Sequence, residues 1–197
     1  MTSLARLKVV LASSSPRRHE LLKLIGVDHE VIPAHADESH VPGEKPDAHA
    51  ERLARTKSEA VATVRAESLV IGADTIVVVD QHILGKPRDL ADAARMLRML
   101  SNRSHVVMTA IAVTYGARTV SLVEKVTVSF RDLTEDEIAR YIATGEPMDK
   151  AGAYGIQGYG ATIVRRIEGD YFAVMGLSLV RLVELMAQLG VRYDFAR

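Results

Sequence analysis

The chain has no cysteine, no run of like charge and no apolar stretch long enough to cross a bilayer. Without cysteine, disulfide frameworks, thiolate zinc sites and cysteine nucleophiles are excluded, and a reducing compartment suits the composition. The 25 Lys and Arg residues balance 25 Asp and Glu, so the generalised basic field that non-specific nucleic-acid binding needs is missing, and no local block of charge restores it. No nucleic-acid partner is expected, and any anion site has to be built locally. An uncharged mid-chain stretch such as Val106 to Ala117 is well short of the roughly 18–20 apolar residues of a membrane span. Near the N-terminus, Arg6 and Lys8 precede only Val9 to Ala12 before a run of serines, too short for a secretory apolar segment. A cytoplasmic protein without membrane contact is the expectation. Internal repeats and low-complexity tracts are absent as well.

What is present is a chain of 197 residues, 48% of them hydrophobic, the size of one large domain or of two small lobes sharing a core. Residues 1–197 are expected to form a single domain. Val9 to Ala12 reads as a strand, Ser13 to Pro16 as a tight loop, and Leu21, Leu22, Leu24 and Ile25 as a helix ending at a left-handed Gly26, with Ser15 as N-cap and Pro16 in the first helical position. His35 to Pro46 is polar and proline-bearing, a surface loop. Asp47 to Ala66 has the helical stripe Ala50, Leu53, Ala54, Lys57, Val61 and Val64, which puts Lys57 on the apolar face. Leu69 to Val79 is a strand covered on both sides, interrupted by Asp74 and Thr75. Asp80 to His82 reads as a turn leading to Ile83 and Leu84. A helix from about Asp89 to Leu100, paired strands Val106–Val113 and Val120–Phe130, and a capping box of Thr134 and Glu137 opening a helix to about Ala143 come next. Gly152, Gly155, Gly158 and Gly160 crowd a loop, followed by Ala161–Ile167, a turn at Gly169 and Asp170, and a last helix at about Leu177–Leu189. The alternation predicts an α/β fold with a mixed sheet.

Five places could carry chemistry. Ser13 to Arg18 puts three hydroxyls and two guanidinium groups at a helix start, where free N–H groups and the positive end of the helix dipole favour a phosphate; the plainer alternative is a Ser-Pro cap with two solvated arginines. Asp74 in an apolar run has to find a cation, a metal or strong donors, or else protonate, unless it caps a loop beside a Gly72 of unusual backbone. Lys57 either snorkels to solvent or serves an anion on the inner face. Lys86 in Gly85-Lys86-Pro87 offers a charge to phosphate or is simply solvated; the fragment is no P-loop, since the residues of that pattern around it are missing. Gly155-Ile156-Gln157-Gly158-Tyr159-Gly160 is no dinucleotide fingerprint, but it gives a backbone that a ligand can approach, with Gln157 presenting a donor and an acceptor; the plainer alternative is a glycine-rich turn. The seven histidines, at 19, 29, 35, 40, 49, 82 and 105, lack the i,i+4 pairing of a zinc helix and are read as surface or packing residues.

Leu11-Ala12-Ser13-Ser14-Ser15-Pro16-Arg17-Arg18, Ile71-Gly72-Ala73-Asp74-Thr75, Leu84-Gly85-Lys86-Pro87 and Asp149-Lys150-Ala151-Gly152-Ala153-Tyr154-Gly155-Ile156-Gln157-Gly158, with Glu168-Gly169-Asp170-Tyr171 following, together resemble the Maf family of nucleoside triphosphate pyrophosphatases. The resemblance spans nearly the whole chain, and the stretch from Lys150 to Gly158 is similar to the branch acting on dTTP and UTP. Ser178 stands where the family usually has proline. The resemblance implies cleavage between the α- and β-phosphates to a nucleoside monophosphate and pyrophosphate, with a divalent cation, magnesium or manganese. It also implies that Asp74 is the proton acceptor, that Arg17, Thr75 and Gln157 govern substrate choice, and that Ser13, Arg18, Glu38, Lys57 and Lys86 line the triphosphate and metal site, with Glu38 and Asp74 toward the metal. The implied fold is Maf/ITPase-like: an elongated, twisted mixed sheet flanked by helices, in two lobes with a cleft between them, often as a homodimer.

A metal–triphosphate substrate needs several cations, carboxylates for the metal and a base for water. Arg17, Arg18, Lys57 and Lys86 supply the first, Glu38 and Asp74 the second. Asp74 binds metal, deprotonates water, or does both. The carboxamide of Gln157 complements the thymine or uracil edge, whereas cytosine presents the reverse pattern. The rival expectation is a nucleotide-binding regulator of cell division or septum formation, against which the water-activating carboxylate argues; a phosphatase releasing inorganic phosphate is a third. The implied substrates extend to modified pyrimidine nucleotides, a house-cleaning role.

Overall fold

The computed structural model describes residues 1–34 and 36–195. His35, one of the histidines considered above and the first residue of the expected surface loop, lies outside the described residues. In chain order the elements are β1 (Thr2–Ser3), β2 (Val9–Leu11), α1 (Pro16–Leu24), β3 (Glu30–Val31), α2 (Pro46–Ala62), β4 (Leu69–Val79), β5 (His82–Leu84), α3 (Leu90–Leu100), β6 (Ser104–Tyr115), β7 (Arg118–Phe130), α4 (Glu135–Ala143), β8 (Val164–Glu168), α5 (Tyr171–Met175), α6 (Leu179–Gln188) and β9 (Val191–Arg192). The mixed sheet runs in the order β3-β2-β4-β6-β7-β8, with β5 paired to β4, while β1 and β9 form a separate pair. β2 is parallel to both β3 and β4; β5 and β8 are antiparallel to β4 and β7. The α/β class with a mixed sheet is as expected.

The chain divides into two compact units, one made of Met1–Asp74, Thr109–Glu124 and the chain from Gly176 onward, the other of Thr75–Met108 and Lys125–Met175. In the first, the apolar run of β2 is fully buried, and Val10, Ala12, Val61 and Val70 pack together under Ile32 and Ala34. In the second, Val77, Leu97, Leu100, Val126, Val128 and Phe130 are among the buried side chains of one cluster. The alternation along β7 holds: Val126, Val128 and Phe130 face inward while Lys125 is exposed.

Several local readings are sharpened or corrected. Gly26 is left-handed, as expected, and Thr134 and Glu137 form the capping box of α4. Ser15 occupies the N-cap of α1 with Pro16 next to it, but its side chain caps nothing; the local hydroxyl bond is the Ser15 N–H to Ser13 Oγ, at 3.2 Å. α2 stops at Ala62, where Thr63 Oγ1 donates back to Ala60 O, so Val64 leaves the apolar stripe and is 65% exposed. Asp80 and Gln81 both take positive φ, which makes them the two-residue turn between β4 and β5 and puts His82 in the strand. The start of the last helix is Leu179, and Ser178 accepts from the Arg181 N–H as its N-cap; the position that departs from the family's proline thus gains a cap. The short helix α5 after Gly169 was not legible from its five residues.

Candidate active site

In the first unit the parallel register sets Val10 opposite Val70 and Leu11 opposite Ile71, and the Ala12 N–H donates to Ile71 O. The chain leaving β2 therefore passes Ala73, the residue before Asp74, at the carboxyl end of a parallel strand, where α/β sheets place their ligands. Arg18 fixes this junction. Its Nη1 donates to Ser13 Oγ at 3.0 Å and to Ala73 O at 2.9 Å, and its Nε donates to Gly176 O at 2.9 Å. Three of the guanidinium's five donors are thus spent on bracing the Ser13 loop against β4. Burial lowers the Arg18 pKa; Asp74 opposes that shift, Arg17 adds to it, and Glu38 opposes it. Arg17 is half-buried beside it, and Ser13 is buried.

α2 lies close against β4 because residue 72 has no side chain: a Cβ there would sit 2.7 Å from Ser58 N and 2.9 Å from Ser58 Cβ. The glycine serves close approach, and its φ is not in the positive region, so the alternative of an unusual backbone beside a loop-capping Asp74 is set aside. This packing delivers Lys57 to the strand. Lys57 is buried, with Nζ 2.8 Å from Asp74 Oδ1 and 2.7 Å from Glu38 Oε1. Asp74 is buried too, whereas the Glu38 side chain is 62% exposed. Lys57 does not snorkel: it ends between two carboxylates.

The loop carrying Glu38 is tied to α2 by residues that sequence reasoning did not find. Arg52 holds Glu44 with two bonds, Nε to Oε1 at 2.7 Å and Nη2 to Oε2 at 2.8 Å, and donates from Nη2 to Ser39 O at 3.1 Å. His49 adds a 3.0 Å contact to Glu44 Oε2 and stacks on His40. The Arg52 bond, with help from His49 and the Val41 N–H against partial desolvation, lowers the Glu44 pKa to about 2. No periodicity joins a loop acid to a residue eight positions on in a helix, so this clasp has no local signature.

In the second unit Thr75 is half-buried, directly after Asp74 in β4, and Lys86 and Gln157 are exposed. Gly85 O accepts from the Gly152 N–H at 3.0 Å, which ties the Lys86 segment to the start of the glycine-rich loop. That loop is stiffened from below. Tyr154 is buried and its hydroxyl lies 2.8 Å from His105 Nε2, with Phe130 edge-on to both rings. His105 is therefore a packing residue, as read; His19 and His29 pair with each other at 2.8 Å. Among the described residues, no three His, Asp or Glu side chains group as a metal cage, and no helix is long and apolar enough to cross a membrane.

Residues 8–189 match the family described as Maf-like protein. This chain belongs to the Maf family. It is 52% identical to the dTTP/UTP pyrophosphatase of Moorella thermoacetica, over 93% of this chain and 96% of that protein. It is 46% identical to the dTTP/UTP pyrophosphatase of Aquifex aeolicus, over 94% and 97%. Its fold is similar to that of the Staphylococcus aureus Ham1 protein, with a TM-score of 0.50 at 18% identity over 92% of this chain and 90% of that one. The Maf membership covers both units and all four motifs.

Proposed function

We propose that this chain hydrolyses dTTP and UTP between the α- and β-phosphates, releasing the nucleoside monophosphate and pyrophosphate. The observation that carries the reading is the buried Lys57 ammonium between Asp74 and Glu38, beside the Arg18-braced Ser13 loop, in a Maf chain about half identical to proteins named dTTP/UTP pyrophosphatases. A buried Lys57–Asp74 pair beside the carboxyl end of β2 is the kind of charged group that concentrates at functional sites. It also favours an enzyme over a nucleotide-sensing regulator of cell division.

The chemistry follows from the side chains. Asp74 accepts the proton of the attacking water as the new oxygen–phosphorus bond forms; the bond from the α-phosphorus to the bridging oxygen breaks, and its electron pair leaves with pyrophosphate. Among the described residues, two of Lys57's three N–H donors face carboxylates, and the third is offered to a phosphate oxygen. Ser13, Arg17 and the N–H groups opening α1 receive phosphate charge, while Arg18 holds Ser13 and the Ala73–Asp74 peptide in place. From the family resemblance, Lys86 is read as a further cation for phosphate, and Thr75 and Gln157 as bearing on substrate choice. Asp74 and Glu38 are hard oxygen donors that meet at one cation, and two carboxylates suit a magnesium or manganese ion completed by substrate phosphates. When bound, that ion supplies charge neutralisation at the phosphates.

The two units are read as one domain, because β4, β6 and β7 run through both and the family match spans residues 8–189. A cytoplasmic location belongs to the same proposal, since free nucleoside triphosphates are cytoplasmic solutes, and so does the homodimer that the family resemblance implies. The test is a product assay with each triphosphate. Pyrophosphate from dTTP and UTP, at least tenfold faster than from CTP, is expected; inorganic phosphate as the first product would make the chain a phosphatase, and binding without turnover would make it a sensor.

A further inference from the structure

The loop that carries Gln157 is organised by one carboxylate and one phenol that belong to neither the phosphate cluster nor the base-reading set. The residue that opens the 3-10 turn Gly158–Thr162 is Gln157, at its N-cap, yet the Gln157 side chain makes no capping bond. Glu146 does that work from a distance. Its Oε2 accepts the Tyr159 N–H at 2.8 Å and its Oε1 accepts the Gly160 N–H at 2.9 Å, the second and third donors of the turn, which a cap residue ordinarily satisfies. Tyr141 Oη donates to Glu146 Oε1 at 2.8 Å and accepts the Gly155 N–H at 3.1 Å. Both ends of Gly155–Gly160 are therefore fastened to the same pair of side chains, and the Gln157 carboxamide stays exposed.

The glycines of this segment fit that arrangement. Gly158 has φ +67°, and a Cβ on it would run into Glu146 Oε2 and lie 3.1 Å from Glu146 Cδ. A Cβ on Gly160 would run into Gly155 O and lie 2.7 Å from Tyr141 Oη. Their bareness lets a carboxylate and a phenol reach the main chain. Glu146 in turn is placed by the end of α4, where Gly145 turns left-handed and Thr144 Oγ1 accepts the Glu146 N–H at 3.2 Å.

We infer that Glu146, with Tyr141, is a positioning residue for base selection: it caps the turn in place of Gln157 and so leaves the Gln157 carboxamide to read the pyrimidine edge. The inference rests on the reading of Gln157 as base reader. Without Glu146 the two N–H groups lose their acceptor, and the nearest replacement is the Gln157 side chain itself, which would then be drawn off the base.

The experiment measures kcat/KM for dTTP and CTP in the wild type, Glu146→Gln, Tyr141→Phe, Gln157→Ala and the Glu146→Gln/Gln157→Ala double variant. Glu146→Gln keeps size but puts an NH2 against one of the two backbone N–H groups. The expected result is a dTTP-over-CTP ratio lowered about tenfold, equivalent to about 1.4 kcal/mol, with CTP turnover little changed, a smaller drop in Tyr141→Phe, and no further drop when Glu146→Gln is added to Gln157→Ala. A merely structural role would slow both nucleotides alike and leave the ratio in place. An unchanged ratio in both single variants, or a further drop in the double variant, overturns the inference. A wild-type ratio in Gln157→Ala overturns instead the base-reader reading beneath it, and the inference with it. Should Glu146→Gln fail to fold, Tyr141→Phe, which removes one oxygen from a buried ring, decides by the same ratio.

Discussion

Lys57 shows how far one residue's meaning depends on what lies opposite. With 10% of its side chain exposed, against 11% for Asp74, the ammonium balances a carboxylate that has little water to turn to. Removing one partner of a buried ion pair costs about 3–5 kcal/mol because the other charge is left unpaired. Lys57→Ala is therefore expected to lose about 3 kcal/mol of stability in urea unfolding, toward the lower end of that range because Asp74 keeps some solvent and Arg18 nearby. The Lys57→Ala/Asp74→Asn double variant should recover most of it, and a single variant that unfolds like the parent would show that the lysine balances no buried charge. Asp74→Asn alone keeps the side chain's shape but removes the base, and losing a positioned general base costs about 10²–10⁴ in rate. The check is dTTP turnover in a variant whose melting curve shows it folded; wild-type turnover there would remove Asp74 from the chemistry.

At the scale of elements, the start of β6 carries a pH dependence. His105 is buried against Phe130 and Tyr154, with Nδ1 lacking a partner among the described residues, and burial lowers its pKa from 6.5 to about 4. Between those values the unfolded chain binds a proton that the folded protein does not, so stability is complete above about pH 6.5 and declines as the pH falls toward 4, by on the order of 3 kcal/mol. Unfolding free energies measured from pH 7 to 4.5 should follow this slope. His105→Gln, which keeps a hydrogen-bonding group for Tyr154 but cannot titrate, should flatten it; an equally steep slope in that variant would assign the dependence to carboxylates such as Glu44, whose own window lies lower, toward about 2.

For the whole molecule, the donor set makes a demand that its parts do not. On the proposed reading Asp74 and Glu38 would hold a divalent cation with only two carboxylates, so its binding would depend on substrate phosphates as well. Activity on dTTP should vanish in EDTA and return with magnesium or manganese. Full turnover after exhaustive chelation would remove the metal from the chemistry and leave the protein's own cations to neutralise the phosphates.

By itself, the amino-acid sequence determined the alternation of elements, the N-terminal loop and its prolyl helix start, the capping box at Thr134, and the motifs whose order identifies the family. These are local or pattern-borne: a period of two or 3.6 residues, a turn residue at its offset, a cap three residues from its partner. It also singled out Lys57 and Asp74 as polar groups in apolar settings, without deciding between a snorkelled lysine and a paired one. That choice belonged to the tertiary structure, because it depends on the parallel register of β2 and β4 and on the bare Cα of Gly72, which brings α2 within reach of the strand. The Arg52–Glu44 clasp and the Glu146–Tyr141 scaffold were equally out of sight. Each joins a loop to an element through bonds of side chain to carboxylate or main chain, and such bonds follow distance in space, to which spacing along the chain carries no guide.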